Sequence, residues 1–499
     1  GGVGQDARRL RLRVLTTNDF HGNLAPTWTS GGAAIGGAAA LATYFDMERD
    51  GFGGDPVLLL DGGDVMQGTP MSNLTRGRST VEYYNAAGYD AAAVGNHEFD
   101  WGPAVLRERM EEARFPWLAA NIAVEGSDTT PSWIRGTAIL ERDSMRIGII
   151  GLITEETPRA TMAEYVRGLA FADGAATMNR LVPSLRQAGV DFVIVVAHAG
   201  VHCEDQERNC AGEMAEWLER TTEKPDLVVG GHTHEVVRAR VNGVPVIETG
   251  SWARRYGVVD LERISADSVD VWIRGTPVPW TDLVPADSAV AALVARTEAE
   301  VGPRLTQVIT RTAEEIPRGA GENPMGRLIA DAQRAATGTQ IAIMNAGGVR
   351  APMPAGAVTW GDLYRIQPFG NRLMVLKLTG ALLHDAMEHA ISGTNPGAHV
   401  SGLRAQIDPS RPVGQRVLAM SLSTGEPIEA DAIYTVTVSD FLASGTGDGF
   451  SAFGRALEST PTGIIDLDAL IDYIRRQPQP LRAPRDERVV ASGFLMVSQ

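Results

Sequence analysis

LRLRVLTTNDFHG, residues 10–22, joins a strand-like apolar run to a cluster of metal-ligand residue types, and four later segments repeat the arrangement. Apolar runs at 57–60, 91–94, 193–196 and 227–229 read, together with 10–15, as buried strands. Oxygen and nitrogen donors follow each run closely: Asp19 and His21 after the first, then Asp64 in DGGD, Asn96, His97 and Asp100 in GNHEFD, His198 in VVAHAG, and His232 and His234 in GGHTH. Ligands of an open α/β sheet gather at the carboxyl ends of its strands. Any one of these motifs alone, DGGD above all, reads as an ordinary turn. Five of them in this order, each after a strand, predict one shared edge carrying a pair of metal ions.

Between these strands the first half carries helical patterns at 35–48, 80–87, 104–113, 175–188 and 212–220, with further strand runs at 146–150 and 244–247. Such alternation predicts an α/β fold of sheets flanked by helices. The Gly- and Ala-rich stretch 31–42 reads as a loop entering a tightly packed helix. A chain of 499 residues exceeds one core. The spacing predicts a first domain at 8–284, a linker at 285–303 built on a helix over 288–301 that stops at Gly302 and Pro303, and a second domain at 304–499. That second domain has its own helices (328–336, 381–390, 467–475) and strands (341–344, 373–378, 433–438).

Hydrophobic residues make up 44% and charged residues 21%, as in ordinary globular proteins. A net charge of −16, with no basic stripe, argues against nucleic acid as a partner. No apolar run reaches the 18 residues of a membrane span. The opening GGVGQDARRLRLRV lacks a signal-peptide core, which fits a cytoplasmic protein or the mature form of an exported one. Cys203 and Cys210, in HCEDQERNC, are expected to close a loop as a disulfide rather than stay as surface thiols, which favours an oxidising compartment.

The donor set has a chemical logic. Two cations about 3.5–4 Å apart clamp phosphoryl oxygens and lower the pKa of a bound water toward ~7. A shared carboxylate is needed to neutralise both, and Asp64, after two glycines that allow close backbone approach, is the expected bridge. Asp19 and His21 alternate, so an extended chain would aim both at one ion, and His232 and His234 would repeat that geometry. Imidazole, carboxylate and amide donors without cysteine suit a divalent ion such as Zn²⁺ or Mn²⁺. His97 cannot point with its neighbour Asn96 in an extended chain and is expected to face substrate, its ring held by Asp100 in the charged form. Glu98 and Glu235 receive no catalytic role. The lone histidines His202, His384, His389 and His399 read as structural or solvated.

At these residues the chain resembles the calcineurin-like metallophosphoesterases and, more narrowly, the 5′-nucleotidase family, which includes bacterial periplasmic UDP-sugar hydrolases and animal ecto-5′-nucleotidases. The resemblance spans nearly the whole chain. It implies a four-layer αββα metallophosphatase sandwich joined by a linker helix to a second α/β nucleotide-binding domain. It implies two divalent ions (Zn²⁺, Mn²⁺, Co²⁺ or Mg²⁺), one held by Asp19, His21, Asp64 and His234, the other by Asp64, Asn96, His198 and His232. His97 and Asp100 would form the catalytic dyad. His234 stands where members often carry Gln or Asn.

The second half holds NAGGVR, QPFGN and DFLASGTGDGF. By themselves Phe369 and Phe441 read as core aromatics, although Gly370 and Gly445 point to exposed loops. The resemblance implies that the two rings stack a nucleobase, that Asn345, Arg350 and Asn371 approach the substrate, and that Asp448 binds the ribose hydroxyls. Two departures from the family stand out. Phe441 and Asp448 are seven residues apart rather than six, with Thr446 extra. Gly321 stands where the animal enzymes carry an arginine, a charge that Arg318 or Arg327 would have to supply. The expected activity is hydrolysis of nucleoside 5′-monophosphates in the periplasm or outside the cell, with ADP, ATP and UDP-sugars as further substrates. The alternatives are a 2′,3′-cyclic-nucleotide phosphodiesterase with 3′-nucleotidase activity, and a non-catalytic nucleotide-binding or surface adhesion protein.

Overall fold

Alternation along the strand Leu10–Thr17 sends Leu12 and Val14 to one face and Leu15 to the other. The computed structural model, which describes residues 10–29, 31–265, 268–392 and 397–491, builds two six-stranded sheets on this rule. In the first sheet the order is Ser268–Gly275, Gly257–Ser265, Leu10–Thr17, Val57–Asp61, Ala91–Ala93, Trp117–Leu118. In the second it is Val236–Val241, Val244–Thr249, Leu227–Val229, Phe192–His198, Met145–Ile153, Thr137–Arg142. The strands that carry the motifs run parallel to one another within each sheet, so their carboxyl ends share an edge.

Leu12, Val14, Leu58 and Leu60 pack against Ile147, Ile149, Phe192, Ile194 and Val196, which makes the space between the sheets a continuous apolar core. On the outer face of the first sheet lies the helix Ala38–Gly51, through Leu41 and Phe45, and the helix Arg78–Ala87, through Tyr83 and Tyr84. On the outer face of the second lie Gly174–Gln187 and Glu213–Arg220, through Met178, Val182 and Trp217. Helix, sheet, sheet and helix therefore form the four layers that the resemblance implied.

Local details differ from the sequence reading. The helix expected from residue 35 starts at Ala38, because Ala34–Gly36 pairs as a strand with Pro26–Trp28 and the positive φ of Gly36 and Gly37 breaks any earlier helix. The linker helix does not stop before Gly302. It runs Ser288–Leu305 through Gly302 and Pro303, since proline near a helix end forfeits one hydrogen bond without preventing the last turn. Cys203 and Cys210 form the expected disulfide, which closes the hairpin His202–Glu204 with Arg208–Ala211.

Contacts divide the chain into two units, one holding the described residues to Thr157 and Glu164–Glu300, the other Pro158–Ala163 and the described residues from Val301. The second unit has a five-stranded sheet ordered Ala398–Ser401, Ile341–Asn345, Ile433–Ser439, Arg372–Thr379, Glu458–Ile465. Its core joins Ile341, Ile343, Leu376, Val436 and Val438 to Leu383 and Met387 of the helix Gly380–Ile391.

Candidate active site

Asp19, His21, Asp64, His232 and His234 all have positive φ, between 49° and 76°. Side chains with a Cβ rarely adopt this left-handed backbone, and residues held there concentrate at functional sites. The expectation that Asp19/His21 and His232/His234 share a face by extended alternation is therefore wrong. Each chain leaves its strand and curls, and the curl, not a pleat, aims the donors. Likewise Asn96 and His97 lie in a short 3₁₀ helix, Asn96–Phe99, not in extended chain.

The donors nevertheless converge. Asp19, His21 and His234 offer ligand atoms all within 4.8 Å of one another, and so do Asp19, Asp64 and His198. Asp19 Oδ1 is 3.2 Å from His234 Nε2, and Asp64 Oδ2 is 3.1 Å from His198 Nε2. His198 Nε2 also lies 3.0 Å from Asn96 Oδ1 and 3.2 Å from His232 Nδ1. All seven residues thus meet in one cluster. Asp19 is common to both of these groups, and Asp64 belongs to the second.

The hydrogen-bond pattern fits cations. His21 Nδ1 donates to the Gln67 carbonyl at 2.7 Å, which leaves its Nε2 as a lone pair, yet that nitrogen faces His234 Nε2 at 3.0 Å. Asp19 Oδ1 is fully buried and accepts no hydrogen bond of good geometry. Buried lone pairs aimed at one another are costly unless a positive ion sits among them. Burial and the His234 charge push the His21 imidazole down to about 3, which keeps it neutral as a ligand must be. Burial, then His198, pushes His232 down to about 4. Burial opposes ionisation of Asp64, but the charges of His198 and His97 and the His198 hydrogen bond outweigh it and hold the carboxyl well below its usual range. Burial likewise opposes the His198 cation, but Asp64 and Asp19 raise it to about 10.

His97 stands beside this cluster. Its backbone N–H donates to Asp64 Oδ1 at 3.0 Å, and its Nδ1 is 2.7 Å from Asp100 Oδ2. Its ring centroid is 5.6 Å from that of His21.

Several supporting residues carried no weight in the sequence reading. Glu98 accepts backbone N–H bonds from Asp64, Val65, Met66 and Gly95, so the dismissed carboxylate fixes the loop that presents Asp64. Asn18 donates to Asp19 Oδ2 and accepts from Thr249, tying the first sheet to a strand end of the second. Trp252 packs on His21 with centroids 4.9 Å apart. Glu98 and Asn18 lie inside the motifs quoted above and were findable there. Trp252 has no local signal.

In the second unit Asn345 Nδ2 donates to Asp448 Oδ2 at 2.6 Å, and the Arg350 guanidinium lies 5.7 Å from the Phe369 ring centre. Phe441 packs at Gly447, where an added Cβ would come within 2.8 Å of its ring. Phe369 and Phe441 are each half-buried. Asn345, Arg350, Phe369 and Asp448 are thus linked by contact or field, and Phe441 lies against Gly447, next to Asp448 in the chain, whereas Asn371 engages Asp466 through its backbone carbonyl and its side chain. Arg327 is buried and spends its guanidinium on the Asp486 carbonyl and Glu322, so it does not supply the charge missing at Gly321.

Residues 12–236 match the calcineurin-like phosphoesterase family, and residues 299–455 match the 5′-nucleotidase C-terminal domain. A snake venom 5′-nucleotidase of Naja atra is 28% identical over 97% of this chain and 99% of its own length. The Endonuclease YhcR of Bacillus subtilis is 29% identical over 96% of this chain, which spans 41% of that longer protein. The crystal structure of a 5′-nucleotidase precursor from Thermus thermophilus superposes with a TM-score of 0.81 at 28% identity, covering 96% of this chain and 99% of that one. The fold and the metal-ligand edge are those of the metal-dependent phosphoric monoester hydrolases with the calcineurin-like fold. Within that class the chain is similar to the 5′-nucleotidases, whose C-terminal domain its second half matches.

Proposed function

We propose that the protein hydrolyses nucleoside 5′-monophosphates to nucleoside and phosphate with two divalent ions. The single observation that carries the reading is the convergence of seven N and O donors from separate strand ends on one edge, beside the His97–Asp100 pair. Asp19, His21, Asp64 and His234 would hold one ion, and Asp64, Asn96, His198 and His232 the other, with Asp64 shared. Bound there, the ions supply Lewis-acid charge to the phosphoryl oxygens and an ionised water near neutral pH. Their N/O donor set suits Zn²⁺, Mn²⁺, Co²⁺ or Mg²⁺.

His97 then stabilises the charge that develops on the phosphoryl group and protonates the leaving nucleoside oxygen, while Asp100 fixes its ring. In the second unit Phe369 and Phe441 take the base between them, Asp448 takes the ribose hydroxyls, and Asn345, Arg350 and Asn371 line the rest of the substrate. ADP, ATP and UDP-sugars are further substrates. We assign 8–284 to catalysis, 285–303 to the linker and 304–499 to substrate recognition. The Cys203–Cys210 disulfide supports a periplasmic or extracellular location.

Phosphate release from 5′-AMP, 3′-AMP, 2′,3′-cyclic AMP, UDP-glucose and single-stranded DNA, with chelator and with each metal restored, tests the reading. Dominant turnover of 5′-AMP, lost on chelation, is expected. Preference for the cyclic or 3′ substrate would move the assignment to the phosphodiesterase alternative, and cleavage of DNA alone would move it to a nuclease.

A further inference from the structure

Asp448 sits at φ 48° and ψ 21°, a left-handed backbone that residues with a Cβ seldom adopt, aspartate more readily than most. Two different elements hold it. On one side Asn345, at the end of Ile341–Asn345, donates to Oδ2. On the other, His389 in the last turn of the helix Gly380–Ile391 places Nε2 2.7 Å from the Asp448 backbone oxygen. A carbonyl can only accept, so His389 Nε2 carries the proton and donates it.

The imidazole is itself fixed. Phe450 meets it edge-on at 4.6 Å. Gly449, at φ 74°, leaves room for it: a Cβ there would stand 3.1 Å from His389 Cε1. The loop Gly447–Gly449 is therefore moulded around the His389 ring, and the ring clamps the peptide that carries the Asp448 carboxylate.

We infer that His389 is a positioning residue for ribose recognition: it locks the Asp448 peptide so that the carboxylate, with Oδ2 on Asn345, presents Oδ1 to a vicinal diol. A histidine that reads as structural in the sequence thereby helps set which nucleotides bind, without touching them. The inference rests on the proposed role of Asp448, and the test separates the two.

Steady-state kinetics on the full metal-loaded chain compare AMP, 2′,3′-dideoxy-AMP and p-nitrophenyl phosphate in Asp448→Ala, His389→Leu and His389→Gln. Losing one such hydrogen bond is expected to raise KM for AMP roughly 3- to 10-fold in His389→Leu. The KM for dideoxy-AMP and the turnover of p-nitrophenyl phosphate should stay at wild-type values, and Gln, which keeps an N–H donor at similar reach, should restore AMP binding. If Asp448→Ala leaves discrimination between AMP and dideoxy-AMP intact, the role of Asp448 itself is wrong. If Asp448→Ala erases discrimination but His389→Leu does not, or if His389→Leu weakens both nucleotides equally, the positioning role is wrong. Should the leucine variant not fold, the pair His389→Gln and His389→Asn decides, because asparagine has the same chemistry without the reach and must lose discrimination.

Discussion

The strand-end cluster of the first unit and the loop cluster of the second solve opposite problems. The first gathers ionisable groups away from water. Asp19, His21, Asp64, Asn96 and His198 are buried, five of the seven donors sit on left-handed backbone, and Glu98 alone ties down four backbone N–H groups, three of them in the loop that presents Asp64. The second keeps its rings and its carboxylate half-buried, with one left-handed residue among them, Asp448. Concentrated charge demands fixed geometry because a displaced buried carboxylate or imidazole has no water to fall back on. Stacking and diol recognition tolerate looser support, since aromatic faces accept a ligand over a range of positions.

The contrast is open to attack in a graded way. Removing the Asp64 carboxylate should cut turnover of nucleotide and aryl phosphate alike by at least about 10³-fold, and metal content measured after gel filtration should fall with it. A variant that retained both ions and activity would erase the distinction at its root. His97→Ala should lower kcat by roughly 10²- to 10³-fold with its ions retained, which separates the substrate-facing histidine from the ligands. Phe441→Ala should raise KM for AMP by roughly 5- to 100-fold, corresponding to about 1–3 kcal/mol of stacking. Its turnover of p-nitrophenyl phosphate should not change, and equal losses on both substrates would merge the two regions functionally.

The smallest effect concerns stability alone. Burial raises the Asp466 carboxyl from 3.8 to about 7. Between those values the folded chain holds a proton that the unfolded chain has released, so stability falls as pH rises through that window. Asp466→Asn should remove that contribution, giving a flatter dependence of denaturation midpoint on pH between about 4 and 7. An unchanged slope would place the titrating group elsewhere.

Much of this was legible along the chain. The five apolar runs, the donors that follow them and the alternation with helices stand in the sequence, because strands covered on one face by the other sheet and on the other by helices require near-continuous apolar residues, and those runs must end before the polar edge begins. The antiparallel strands Gly257–Ser265 and Ser268–Gly275 escaped because they carry charge at many positions, among them Asp260, Glu262, Arg263, Asp270 and Arg274. Asp260 alone engages both Arg13 and Arg274, a pairing that sequence separation conceals.

The sequence by itself determined which residue types could meet and at which end of which strands, because side-chain chemistry and burial pattern are local properties of the chain. Only the tertiary structure decided how they meet. The left-handed turn at each donor, the Glu98 tether, the Trp252 packing on His21 and the His389 clamp on Asp448 all depend on neighbours tens to hundreds of residues away. A strained backbone persists only where such neighbours hold it.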